Sequence, residues 1–252
     1  MQSARNHYAT HLGPIYSWML GGVDAALARG SAELDALGPS PGGTAIAVDL
    51  GAGFGMHAIP LARRGFSVLA IDTNAELLRE LATYAKTLPI RSVDADLLTF
   101  RAHLESAAEV ILCMGDTLTH LPSLESIESL FADVAAALRC GGVFYCTFRN
   151  YTDELSGENR FIPVRSDADR ILTCFLEYAD AFVTVHDIVH EREDDLWRLR
   201  VGCYKKLRLA PKWVSAALER CGFHVTEAAG PGGMIRLTAR LVDNGGLSRV
   251  PT

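Results

Sequence analysis

Between Thr44 and Phe148 five short, mostly apolar runs alternate with segments of helical spacing. TAIAVDL, Ser67 to Asp72, Ile90 to Asp94, Glu109 to Met114 and Gly142 to Phe148 read as strands, and Phe54 to Arg64, Ala75 to Lys86 and Ser123 to Leu138 as helices. Strands that apolar need cover on both faces, which a parallel sheet between two helical layers provides. Beyond residue 170 the pattern changes. ILTCFLEY, FVTVHDIVHERE and LWRLRVGCYKKLRL alternate side chains as antiparallel strands do, which predicts a three-stranded meander inserted after the fifth strand. An amphipathic helix after Pro211, stopped near Cys221-Gly222, then leads into FHVTEAA and GMIRLTARL, a closing antiparallel hairpin. The expected fold is therefore α/β: a Rossmann-like sheet of seven strands, short helices at residues 3–20, a linker at 30–43, and the inserted meander. One domain is expected over 1–252, with 1–40 as a helical lid and linker and 151–210 as a substrate-side insert.

The glycine-bearing turn AVDLGAGFGMHAIPLARRG falls between the first strand and the first core helix, placing Gly51, Gly53 and Gly55 where backbone must turn tightly and approach a ligand. A dinucleotide fingerprint would need glycine at 56, where the chain has Met56. That weakens a dehydrogenase reading. Asp49 precedes the turn, and Asp72 ends the second strand about 20 residues on, the separation at which a carboxylate meets two ribose hydroxyls. After the third strand, Asp94 and Asp96 compete for the edge of an adenine, with the Leu97 N–H beside it; either aspartate has turn capping as its plain alternative.

Joined together, DLGAGFG, AIDTN, VILCMGDTLTHLPS and GGVFYCTFRNYTDEL resemble the small-molecule class I methyltransferases, the glycine N-methyltransferases among them. The resemblance extends over most of residues 8–240, including YKKLRLAPKWVSAALERCGF. It implies S-adenosylmethionine as cofactor, with contacts from Tyr16, Asp49, Gly51, Ala52, Gly53, Asp72, Thr73, Asp96, Leu97, Met114 and Gly115. It further implies an acceptor site built from Trp18, Arg149, Asn150, Tyr151 and Tyr204. An ammonium acceptor must lose a proton before attack, and Asp116 or His120 is placed either to take it or to hold the loop after the fourth strand. Asp116 departs from the asparagine of the glycine enzymes, and an ionised carboxylate accepts hydrogen bonds without donating any. Arg149 is expected either to grip an acceptor carboxylate or to anchor the inserted strands. Methyl transfer to a small amine is the leading expectation. O- or S-methylation in the same pocket and non-catalytic cofactor binding are the alternatives.

Composition narrows the partners. A net charge of -6 offers no general attraction to nucleic acid, and no run reaches the roughly 20 apolar residues of a membrane span. Six cysteines without a CxxC pair, and no apolar leader, suit a reduced, cytoplasmic protein. The pairs His7/His11 and His186/His190 lack a third ligand, so no metal is expected. Arg198, Arg200, Lys205, Lys206, Arg208 and Lys212 are expected on an exposed or intersubunit face, leaving a homodimer or larger homo-oligomer open.

Overall fold

A computed structural model describes residues 4–242. Seven strands form the central sheet: β1 (Ile46–Leu50), β2 (Ser67–Asp72), β3 (Ile90–Asp94), β4 (Ala108–Cys113), β5 (Leu138–Phe148), β10 (Phe223–Ala229) and β11 (Ile235–Leu241), in the order β10-β11-β5-β4-β1-β2-β3. β1 to β5 pair parallel, and β11 runs antiparallel between β5 and β10. Helices α4 (Ala58–Arg63), α5 (Ala75–Ala85), α6 (Leu124–Ala137) and α7 (Pro211–Arg220) make the connections. The local signals are plain: Asn74 accepts from the N–H groups of Glu76 and Leu77, Ser123 accepts from Ser126, and Pro211 opens α7. α4 is shorter than expected, because residues 51–57 are spent on turns.

Two expectations about the outer elements need correction. The segment read as a linker from residue 30 is helical to Leu37: α3 (Val23–Leu37) buries Ala26, Leu27, Gly30 and Leu34, an i, i+3/i+4 stripe. Gly30 is no breaker here. A Cβ on it would lie 2.0 Å from the Met56 carbonyl oxygen, so glycine is what allows the helix to approach the turn after β1. The inserted sheet has four strands, not three: β6 (Phe161–Ser166), β7 (Arg170–Tyr178), β8 (Phe182–Glu193) and β9 (Leu196–Leu207), each antiparallel to the next. β6 contains Pro163 and sits at the edge, where the missing N–H costs no ladder bond.

The amino segment, α1 (Ala4–His7), a π-helical turn at Tyr8–Leu12, a 3-10 turn at Gly13–Ile15 and α2 (Tyr16–Met19), packs onto the inner face of the inserted sheet. Leu12 and Ile15 join Leu172, Leu176, Val183, Val185 and Val189 in one apolar cluster. Among the described residues no helix is long and apolar enough to cross a membrane, and no group of three or more His, Cys, Asp or Glu side chains is arranged to hold a metal.

Glu109, buried on β4, fastens the chain entering β1. Its carboxylate accepts from the N–H groups of Gly42, Thr44 and Ala45 and pairs with Arg139. Burial alone would raise its pKa, but those donors hold it below the usual range. Because water reaches these surface amides, Glu109→Ala is expected to cost about 1.5–3 kcal/mol by urea denaturation. With a lowered folded pKa, the contribution is present above the unfolded value of about 4.3 and fades as the pH falls through the folded one. An unchanged urea midpoint at neutral pH would rule the anchor out.

Candidate functional site

The order of strands puts β1 between β2 and β4, and the crevice beyond their carboxyl ends is where ligands lodge in open α/β sheets. A cavity of about 220 Å³ occupies it. Tyr8 and Tyr16 form one wall, the turns after β1 to β4 the others, with Ile71, Leu77, Ala95, Leu97, Leu121 and Pro122 as apolar lining.

At one end stand the two carboxylates expected from the sequence. Asp72 Oδ2 accepts from Gly53 N at 2.8 Å and Oδ1 from Asn74 N at 2.8 Å, which fixes the carboxylate and leaves lone pairs toward the cavity. Burial raises its pKa against those bonds. Asp96 caps the turn after β3 by accepting from Leu98 N at 2.9 Å, the plain alternative read from the sequence, and it also lines the cavity. Gly51, Gly53, Thr73 and Leu97 line the same space. At Gly51, with φ of 78°, a Cβ would strike the Thr117 side chain at 2.6 Å, so glycine brings the turns after β1 and β4 into contact. Ala52 is buried and donates its N–H to Ile71 O. Asp49 is buried off the cavity wall: its Oδ2 has no hydrogen-bond partner, and burial lifts the carboxyl to about 6.

At the other end, two strands from β2 and three from β3, and so about 10 and 14 Å away, lie Gly115, Thr117 and His120 from the turn after β4. Met114 is buried behind them, its carbonyl accepting from the Thr117 hydroxyl. The His120 ring stacks on Tyr204 with centroids 5.4 Å apart, and its Nε2 lies 3.5 Å from the Tyr8 hydroxyl. Burial, then the charge of Lys206, pushes His120 down to about 3, so the imidazole is neutral. Tyr16 packs by its edge on Phe54, and burial lifts its hydroxyl to about 12.

Asp116 is not on the cavity wall. It adopts φ of 75°, a left-handed turn that Asp and Asn tolerate better than most residues. Its Oδ1 accepts from Arg149 N at 2.9 Å, and its Oδ2 from Lys206 Nζ at 2.5 Å and the Tyr151 hydroxyl at 3.0 Å. Burial would raise this carboxyl, but Lys206, foremost, holds it below the usual range, and Asp116 in turn keeps Lys206 well above its own. Lys206 is 7% exposed, which corrects its assignment to a surface strip. Arg208 is also engaged inward, donating to the carbonyls of Tyr151 and Thr152.

Arg149 contributes its backbone here, while its guanidinium donates to Gly232 O, outside the cavity lining. Asn150 closes a local turn with Thr152 and Asp153. Trp18 donates to Asp167 between the guanidiniums of Arg165 and Arg170, likewise off the wall. A second buried network was not foreseen as such: His7 Nε2 lies 2.7 Å from Asp187 Oδ2, Cys174 donates to Asp187 Oδ1, and His11 Nε2 meets Asp187 O.

Residues 47–142 match the model of a methyltransferase domain family. A glycine/sarcosine N-methyltransferase of Aphanothece halophytica is 29% identical over 106 residues, 41% of this chain and 40% of that protein. The human glycine N-methyltransferase is 25% identical over 127 residues, 43% and 42% of the two chains. The chain thus spans about two-fifths of the length of these curated relatives. Solved structures overlap far more. The CcbJ methyltransferase of Streptomyces caelestis superposes with a TM-score of 0.75 at 17% identity, covering 93% of this chain and 98% of that one. CalS10, an amino pentose methyltransferase of Micromonospora echinaspora, gives 0.73 at 14%, covering 92% and 97%. Residues 47–142 thus match a methyltransferase domain, and the chain has the fold of these solved methyltransferases. The donor set fits S-adenosylmethionine: two carboxylates at the ends of adjacent strands for hydroxyl and amino donors, apolar walls for a ring, and no cationic side chain from the turn after β4 lining the cavity.

Proposed function

We propose that this protein transfers the methyl group of S-adenosylmethionine to the amine nitrogen of a small molecule. The carrying observation is the neutral His120 beside the Tyr8 hydroxyl, at the end of the cavity away from Asp72 and Asp96. In this reading Asp72 and Thr73 hold the ribose, and Asp96 with Leu97 the adenine. Gly51, Ala52, Gly53 and Tyr16 cradle the amino-acid end, with Asp49 behind the turn, and Met114 and Gly115 back the reacting sulfur. Bound there, the cofactor supplies an electrophilic methyl carbon. The chain supplies position: Tyr8 and His120 orient the acceptor nitrogen, and the amino segment with the inserted sheet excludes water, alignment being worth up to roughly 7–11 kcal/mol in ideal cases. Residues 4–19 act as the lid, and 151–210 as the acceptor-side insert of one domain.

Incubation with methyl-labelled cofactor and a panel of glycine, sarcosine, glycinamide, amino sugars and matched hydroxy and thiol compounds tests this. Label is expected on nitrogen, by product mass analysis. Label confined to oxygen or sulfur products would overturn the amine assignment.

A further inference from the structure

Asp187, on β8, is 1% exposed and His7, in the amino segment, 0%, yet neither lines the cavity. Desolvating a carboxylate is costly unless its lone pairs are engaged, and here donors converge on it from β7 and from the amino segment. His7 Nε2 lies 2.7 Å from Oδ2, Cys174 Sγ donates to Oδ1 at 2.9 Å, and His11 Nε2 meets the backbone carbonyl of Asp187 at 3.1 Å. The tautomer of His11 follows from its partners: Arg200 can only donate to Nδ1, so Nε2 carries the hydrogen given to Asp187 O. Gly202 stands opposite Asp187 on β9 and makes the seat for both rings. A Cβ there would lie 2.6 Å from His7 Cε1 and 3.0 Å from His11 Cγ, so only bare backbone lets the two imidazoles reach the sheet.

The winding of the segment turns this seat into a constraint on the cavity. Tyr8–Leu12 is a π-helical turn, in which residues four apart come nearly one above the other. His7 and His11 therefore enter the sheet together, ring centres 4.8 Å apart, and Tyr8, next in the chain, is carried round onto the cavity wall. The Tyr8 hydroxyl lies 3.5 Å from His120 Nε2. Tyr204, off that wall, fills the space between, its ring 4.4 Å from His7 and 5.4 Å from His120. Resting on the acceptor site proposed above, we infer that Asp187, His7 and Gly202 are positioning residues for methyl transfer. Asp187 holds His7, His7 seated on Gly202 fixes the turn, and the turn places the Tyr8 hydroxyl at the acceptor end. The inserted sheet thereby acts on the reaction through the amino segment, with no side chain of β7 or β8 lining the cavity.

Two measurements on the whole protein test this. Asp187→Ala and Gly202→Ala remove the seat by different routes, so either decides if the other fails to fold, and Asp187→Asn keeps an oxygen that accepts from His7. In protein carrying 3-fluorotyrosine and saturated with S-adenosylhomocysteine, the fluorine resonance of Tyr8 is identified by its loss in Tyr8→Phe. That resonance is expected to move toward free tyrosine in both alanine variants and to hold its place in Asp187→Asn. On whichever compound of the panel is methylated, kcat at saturating acceptor and cofactor is expected to fall about tenfold to 100-fold in Tyr8→Phe and in each alanine variant, the scale of a small misplacement. Adding Tyr8→Phe to an alanine variant should cost nothing more, because the same hydroxyl is already lost. Losses that multiply, an undiminished kcat in Tyr8→Phe, or a Tyr8 resonance unmoved in the alanine variants would each sink the inference. Label on oxygen or sulfur removes the amine reading and leaves this one standing; with no product from any compound that reading also goes, and the resonance alone decides what places Tyr8.

Discussion

Replacing Lys206 by methionine is expected to cost about 3–5 kcal/mol of folding stability, because the change strands the Asp116 carboxylate in a site built around a cation. Asp116 is 4% exposed, and only the Tyr151 hydroxyl and Arg149 N would remain to solvate it. A double variant, Lys206→Met with Asp116→Asn, should recover part of the loss, since no unpaired charge is left. Urea midpoints measure both. A single-variant loss below about 1 kcal/mol, the range of exposed pairs, would mean that the two charges are not coupled as described. The sign with pH follows from both partners. Asp116 titrates lower in the folded protein than in the unfolded chain, and Lys206 higher. The pair therefore stabilises fully between the unfolded values, about 3.9 and 10.4, and its contribution is lost as pH falls through the folded pKa of Asp116 or rises through that of Lys206.

Asp72→Ala is expected to weaken binding of S-adenosylhomocysteine by about tenfold to 150-fold, the equivalent of about 1.5–3 kcal/mol for a hydrogen bond to a charged acceptor. The same carboxylate fixes Gly53 N and Asn74 N, so the variant also loosens the turn that frames the cavity. Calorimetric titration measures the affinity directly. Undiminished affinity would displace the ribose from the end of β2 and reopen the orientation of the whole cavity.

Most of the core was legible because burial on both faces leaves a strong pattern. β1, β2 and β4, almost wholly buried, lie within a residue or two of the apolar runs, and Asp72 and Asp96 line one cavity because neighbouring strands of a parallel sheet end on the same side. The misses have local causes. Gly30 read as punctuation, when it marks a helix passing within contact of Met56. β6 was not anticipated; it carries Pro163, which an edge position tolerates. Lys206 was counted by charge rather than by parity. It shares a face of β9 with Gly202 and Tyr204, and alternation along that strand was enough to turn it inward. Arg149 is a different case: its position at the end of β5 was correct, but only coordinates reveal that the guanidinium crosses to Gly232.

Through Asp116, the tip of β4, the exit of β5 and the inner face of β9 converge on one side chain with bonds of 2.5–3.0 Å. That junction makes the insert and the parallel core a single rigid frame at this corner. Under the proposed function, changes of acceptor preference can then accumulate on the inserted sheet with the turn after β4 undisturbed, as a tool head is exchanged on a fixed chuck.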